Sequence, residues 1–327
     1  MRESTNSCNE PPQLVDNFGR RISYVRLSVI DRCNLRCLYC MPENGIRFLP
    51  RREILSYEEI TRFLFLLADM GICKVRITGG EPFVRKDIML LLRRLRQIEG
   101  IRNIHITTNG VLAAPYIPEL KDLGIAGINL SLDTLERERF YKITRRDHFD
   151  DVMKCFHKIL KFDIPLKINM VVMDSCSVTD VISISQLARD YAVDVRFIEE
   201  MPFNGRADGK WSSRWDYNRV LRVLRKAYPD IFEIDNDVPS TSKNYAIPGF
   251  KGLVGIIAGF SRTFCATCSR IRITARGMLQ TCLYGEAVLN IKDLLRTGAD
   301  DETIKAAVRG CINSRFEDGW QAVKHRR

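Results

Sequence analysis

Two sets of three cysteines carry the chemistry of this sequence. Cys33, Cys37 and Cys40 fall within eight positions, in CNLRCLYC. Cys265, Cys268 and Cys282 lie in FCATCSRIRITARGMLQTCLYG (264–285). Neither set has a fourth ligand close by. Structural zinc is four-coordinate and closed, so it fits the first set poorly, and at the second it needs a distant ligand such as Cys311 or a histidine. A [4Fe-4S] cube held by three thiolates instead leaves one iron open to an external ligand. The strand pattern between Cys268 and Cys282 puts Ser269, Ile271 and Ile273 on one face, and Arg270, Arg272 and Thr274 on the other. Two arginines beside an open iron suit an anionic, nitrogen-rich substrate such as a nucleoside triphosphate.

The elements that must position these groups alternate along the chain. Strands are expected at 23–30, 74–78, 103–108, 127–132, 166–172 and 194–200. The helical patterns between them include 56–71, 87–98, 118–123, 149–162 and one after Val178. Ser56 and Glu59 have capping-box spacing, and Gly71 is a helix stop. Six β/α units imply a parallel sheet covered by helices, as an open doubly wound sheet or a partial barrel. The first cysteine set falls in the loop after the first strand, and RITGGEP (76–82) follows the second. The alternation ends after Met201. A helix near 217–228, a Pro/Asn/Asp/Ser-rich stretch and the second cysteine set follow. The expected division is 1–205 and 206–327.

The bulk composition narrows the class. The chain has 327 residues, 45% hydrophobic, enough for a real core. No apolar run approaches a membrane span, and the first twenty residues lack a signal-peptide core. A soluble, cytoplasmic protein is expected, with no membrane partner. The net charge of +11 points to anionic partners. There is no long basic block with interleaved aromatics, so nucleic acid is not an expected partner. Eleven cysteines without a signal point to metal or redox chemistry. Outside the two sets, Cys8, Cys73, Cys155, Cys176 and Cys311 read as structural thiols.

The C-x3-C-x2-C spacing, with Tyr39 before its last cysteine and the GGEP turn downstream, resembles the radical S-adenosylmethionine superfamily. That resemblance implies a partial (β/α)6 TIM-type barrel. S-adenosylmethionine would chelate the open iron and be cleaved to a 5′-deoxyadenosyl radical, with the protein aiming the cofactor's chemistry. With the second set, the chain resembles the GTP 3′,8-cyclase family of molybdenum-cofactor biosynthesis, from DNFGRRISYVRLSVIDRCNLRCLYCMP to CLYGEAVLNIKDLLR. The C-terminal extension would then carry a second [4Fe-4S] cluster that holds guanine. The radical would take hydrogen from C3′ of GTP, and C3′ would attack C8. Cyclic pyranopterin monophosphate synthase would act next in the pathway.

The resemblance implies these roles. Cys33, Cys37 and Cys40 ligate the first cluster, and Cys265, Cys268 and Cys282 the second. Tyr39, Gly80, Ser131 and Met201 surround S-adenosylmethionine. Arg26, Arg76, Thr107, Lys167, Arg270 and Arg272 meet GTP. A cluster reductant and a homodimer are also implied. The family usually ends in a Gly-Gly tail that enters the active site, whereas this sequence ends FEDGWQAVKHRR. The expectation is that cluster binding and S-adenosylmethionine cleavage survive without that tail, and that cyclisation is the step it bears on. Two other readings stand beside this one: another twin-cluster radical enzyme that modifies peptides, and a non-catalytic, basic zinc protein.

Overall fold

The computed structural model describes residues 13–42, 45–201, 214–235, 240–259 and 264–325. The strands are β1 (Tyr24–Ser28), β2 (Lys74–Thr78), β3 (Asn103–Thr108), β4 (Gly127–Ser131), β5 (Leu166–Val172), β6 (Asp194–Glu199), β7 (Phe232–Ile234), β8 (Lys243–Ala246), β9 (Val254–Ile257), β10 (Arg270–Ile273), β11 (Met278–Gln280) and β12 (Leu289–Asn290). The helices are α1 (Tyr57–Asp69), α2 (Ile88–Arg96), α3 (Ile117–Asp122), α4 (Arg137–Thr144), α5 (Phe149–Lys161), α6 (Val178–Asp190), α7 (Tyr217–Ala227), α8 (Ile291–Arg296), α9 (Asp301–Asn313) and α10 (Gly319–Lys324). The first six strands and the helices between them fall where the alternation put them. The exception is α4, which the sequence reading passed over.

Among the described residues the twelve strands join one sheet, in the order β12-β11-β10-β1-β2-β3-β4-β5-β6-β9-β8-β7. From β10 through β1–β6 to β9 every neighbour is parallel. The last third of the chain extends this sheet at both ends. It lays β9 against β6 and β10 against β1, on opposite ends of the six-stranded unit. Antiparallel hairpins complete each end. The expected boundary at 205 lies outside the described residues.

Strand alternation separates two environments. Val25 and Leu27 of β1, Ile104 and Ile106 of β3, and Ile168 and Met170 of β5 point into the apolar core beneath the helices. Their in-between neighbours face the concave side. Helix α1 is started by the expected capping box: Ser56 accepts from the Glu59 N–H, and Glu59 accepts from the Ser56 N–H. Its residues Ile60, Phe63, Leu64 and Leu67 then fill the core. Among the described residues, no helix is long and apolar enough to cross a membrane.

Cys155 is buried and free, and Cys176 and Cys311 are half-buried and free. Cys73 departs from the expectation of a free packed thiol and is disulfide-bonded. Cys8 lies outside the described residues.

Candidate functional site

The first cysteine set occupies the loop after β1, and three neighbours fix that loop. The Arg36 and Leu38 N–H groups donate to the carbonyls of Thr144 (2.9 Å) and Ile143 (3.0 Å) at the end of α4. Arg145, in the left-handed conformation at φ 56°, donates Nη1 to the carbonyls of Arg36 and Met41, both at 3.2 Å. On the other side the GGEP turn presses its backbone against the loop's start. Gly80 N–H donates to Ile30 O at 2.7 Å, and Glu81 N–H to Arg32 O at 2.9 Å. A Cβ on Gly80 would stand 2.3 Å from Arg32 O, so only glycine fits there.

Glu81 ties this turn to the next strand. Its carboxylate accepts from Phe83 N–H, Thr108 Oγ1 and Asn109 N–H at 3.2, 2.8 and 2.7 Å. Burial pushes its carboxyl up to about 7, against those three donors. Asp133 does the same on the far side: it accepts from Tyr39 Oη (3.0 Å) and Val171 N–H (2.9 Å). Burial pushes Asp133 up to about 6. Burial also raises the thiols of Cys33 and Cys37, and Glu81 and Asp133 add to it respectively. Cys33 Sγ accepts from Leu35 N–H at 3.4 Å and Asn109 Nδ2 at 3.6 Å. Ser131 closes β4 half-buried and is in register with Asn169 of β5. Met201, just past β6, packs into the space that a side chain on Gly259 would take.

The second set lines a cavity with Arg20, Arg270, Arg272 and Arg315. Burial pushes the Cys268 thiol up, but Arg270 and Arg315 more than offset it and leave it lowered. Among the described residues no three His, Cys, Asp or Glu side chains converge closely enough to share one metal ion. A cuboidal cluster binds each thiolate through its own corner iron and does not require that convergence.

Between the two sets the concave face is basic. Arg26 (β1), Lys74 and Arg76 (β2), Lys167 (β5), Arg196 (β6), and Arg270 and Arg272 (β10) act on one another electrostatically. Burial, then Arg272, Arg76 and Arg270, push the Arg26 guanidinium down to about 9. Among the described residues Lys167 has an ion pair, with Asp194 at 2.6 Å. None of the other six has a carboxylate at ion-pair distance among the described residues, although Asp194 also acts on Arg196 electrostatically. Tyr24 sits among them: Arg76 Nε donates to its Oη at 2.5 Å, and Arg270 and Lys74 lie 5.6 and 5.3 Å from its ring centre. Burial and then Arg76 push His105 down to about 2, so its ring is neutral.

Four buried polar atoms on this face have no partner among the described residues: Arg76 Nη1, Thr107 Oγ1, Asn169 Oδ1 and Arg196 Nε. Buried donors without acceptors and cations without anions are costly, and a polyanion with hydrogen-bonding groups answers both. The residues present thus fit a nucleoside triphosphate. The structure gathers Arg26, Arg76, Lys167, Arg270 and Arg272 on one face, as the sequence grouping had them, with Thr107 among the unpartnered atoms. Lys74, Arg196, His105 and Tyr24 were missed. The signal for Tyr24, Lys74 and His105 was period-two alternation, which puts each on the same face as the expected residue two positions on, Arg26, Arg76 and Thr107; Arg196, in register with Asn169, had no such signal.

The chain matches the Radical SAM superfamily over residues 27–187 and Molybdenum Cofactor Synthesis C over residues 193–319. It is 41% identical over 302 residues to molybdenum cofactor biosynthesis protein 1 of Bos taurus, covering 91% of this chain and 47% of that protein. It thus spans about half the length of the animal relatives it matches. It is 38% identical over 321 residues to the GTP 3′,8-cyclase of Desulforamulus reducens, covering 94% of this chain and 97% of that one. In fold it is similar to SuiB of Streptococcus suis, solved with S-adenosylmethionine, at a TM-score of 0.63 and 16% identity over 88% of this chain and 68% of that one. With the Desulforamulus reducens cyclase 38% identical and matched almost end to end, the chain belongs to the radical SAM family that includes the GTP 3′,8-cyclases.

Proposed function

We propose that the chain cyclises GTP to (8S)-3′,8-cyclo-7,8-dihydroguanosine 5′-triphosphate, the first step of molybdenum-cofactor biosynthesis. S-adenosylmethionine and iron–sulfur are the cofactors of its family. The finer reading is one [4Fe-4S] cluster on Cys33, Cys37 and Cys40, and another on Cys265, Cys268 and Cys282. When bound, the first cluster supplies the electron that splits S-adenosylmethionine into methionine and a 5′-deoxyadenosyl radical.

The observation that carries this reading is the unpaired basic face between the two cysteine sets. Arg26, Arg76, Arg270 and Arg272 bind the triphosphate, joined by Lys74 and Arg196. Lys167 reaches it by exchanging its bond to Asp194. Thr107 Oγ1 and Asn169 Oδ1 offer neutral hydrogen bonds that orient the nucleoside. Tyr39, Gly80, Ser131 and Met201 surround S-adenosylmethionine at the strand ends. The division of labour follows 1–205 for the radical and 206–327 for the guanine end. The next enzyme on this reading is cyclic pyranopterin monophosphate synthase, and the chain needs a one-electron reductant and forms a homodimer.

The test is anaerobic. The protein is loaded with iron and sulfide, reduced, and given S-adenosylmethionine with or without GTP. GTP-dependent 5′-deoxyadenosine together with cyclised nucleotide is expected. Deoxyadenosine whose yield ignores GTP, with no cyclised product, would overturn the substrate assignment. Zinc in place of about eight irons per chain would overturn the cluster assignment.

A further inference from the structure

A buried ion network stands behind the second cysteine set, outside the basic face. Asp16 lies before β1, and its side chain is fully buried. Its carboxylate accepts from Arg20 Nε at 2.7 Å and from Arg315 Nη1 at 3.1 Å. It also accepts the N–H groups of Phe18 and Arg20, both at 3.0 Å. Each arginine then reaches one ligand cysteine. Arg20 Nη1 donates to Cys265 O at 3.1 Å and to Glu317 O at 2.5 Å, and its Nη2 donates to Phe316 O at 2.7 Å. Arg315 donates Nη1 to Cys268 O at 3.2 Å and Nη2 to Cys268 Sγ at 3.5 Å. Arg315 is 3% exposed at its side chain, lines the cysteine cavity, and has an unpartnered Nε.

Burying one carboxylate and two guanidiniums is rarely the cheapest way to hold a loop, because desolvation offsets most of the attraction. The arrangement makes sense if its uncompensated positive charge has something to act on. Two cations on one carboxylate leave one positive charge beside sulfur. The first cysteine set contrasts with this. Its sulfur donors are neutral, Leu35 N–H and Asn109 Nδ2, and the Arg36 guanidinium there donates to the Cys33 and Leu35 carbonyls at 2.6 and 2.8 Å rather than to sulfur. Hydrogen bonds and positive charge at cluster sulfurs favour the reduced, more negative state and raise the potential.

We infer that Arg315, held in place by Asp16, is a positioning residue that donates to the Cys268 sulfur and raises the reduction potential of the second cluster. Arg20 is its counterpart at Cys265, fixing the ligand loop through backbone carbonyls without touching a sulfur. The inference rests on the reading that Cys265, Cys268 and Cys282 hold an iron–sulfur cluster.

The test uses the full chain carrying C33S, C37S and C40S, so that the second site loads by itself. Iron content and the midpoint potential, from redox-poised EPR, are compared for native Arg315, Arg315→Lys and Arg315→Gln. About four irons are expected in each. The midpoint should move to more negative potential in Arg315→Gln, and partway in Arg315→Lys, which keeps the charge but not the forked contacts. Chelators should strip iron from Arg315→Gln about tenfold faster. An unchanged midpoint in either variant that folds and loads overturns the inference. If Arg315→Gln does not fold, Arg315→Lys decides. A failure to hold iron with Arg315 intact overturns the cluster reading itself, and is told apart because the network is then unaltered.

Discussion

Arg26 of β1 and Arg272 of β10 are register partners on adjacent parallel strands, although most of the chain separates them. Their α-carbons are about 4.8 Å apart across the sheet. Arg76 of β2 is the partner on the other side of Arg26. Three like charges in a row across three strands oppose folding unless an anion joins them.

Removing one charge from this row should weaken GTP binding without touching the radical machinery. Arg272→Ala is expected to reduce GTP affinity about 10- to 100-fold, the worth of one charged hydrogen bond. Arg196→Ala should act likewise, although no motif pointed to it. Equilibrium dialysis with labelled GTP checks both, and unchanged affinity removes the residue from the triphosphate site.

The two cysteine sets should separate by substitution. Cys37→Ala is expected to abolish 5′-deoxyadenosine formation. Cys268→Ala should leave some and lose the cyclised nucleotide. Each should halve the iron content. Equal loss of both activities in chains that still carry the other cluster would contradict the proposed division.

Gly80→Ala puts a methyl group against the Arg32 carbonyl, with no side chain available to yield. A loss of about 2 kcal/mol is expected from overpacking. Iron in the first site should also fall, because the displaced backbone carries the cysteine loop. Thermal unfolding and iron analysis test this together. Full stability with full iron would show that the turn is slack.

His105 gives a pH prediction. An unfolded histidine takes a proton near pH 6.5, whereas burial, then Arg76, Lys74, Lys167 and Arg196, hold the folded ring down to about 2. Between those values the unfolded chain binds one more proton. The stability this ring gives at neutral pH is therefore lost as pH falls below about 6.5. The slope is at most about 1.4 kcal/mol per unit, less where solvent reaches the half-buried ring. Urea unfolding at pH 7.5 and 5.5 should show a smaller loss for His105→Gln than for the native chain, and bound GTP should flatten the native slope. Parallel losses would mean that the ring is solvated.

Much of this was legible in the sequence because it is local. Ser56 and Glu59 start α1 by a contact three residues long, and the β-branched strands are marked by their own alternation. The cysteine spacings carry their chemistry within each loop. What was hidden depends on distance. Nothing near VRF announces that Arg196 faces inward onto Arg76 rather than outward to water. Arg315 and Asp16 are 299 residues apart, and each reads as an ordinary surface charge until the fold buries both. Helix α4 was missed because its polar sequence, RERFYKIT, shows little apolar stripe, yet its last carbonyls hold the cysteine loop.

The placement of β9 and β10 at opposite ends of the parallel run sets the order of events at the ribosome. Until residue 257 has emerged β6 is a bare edge, and until residue 273 has emerged so is β1, each open to pairing with another extended chain. These late, long-range pairings make for slow closure and a long window in which a chaperone is useful. The basic face lacks Arg270 and Arg272 until then, and the second cysteine set stays incomplete longer, until Cys282 and then Arg315 have emerged. On the proposed reading, the second cysteine set can therefore meet iron in its finished surroundings only after residue 315 has emerged.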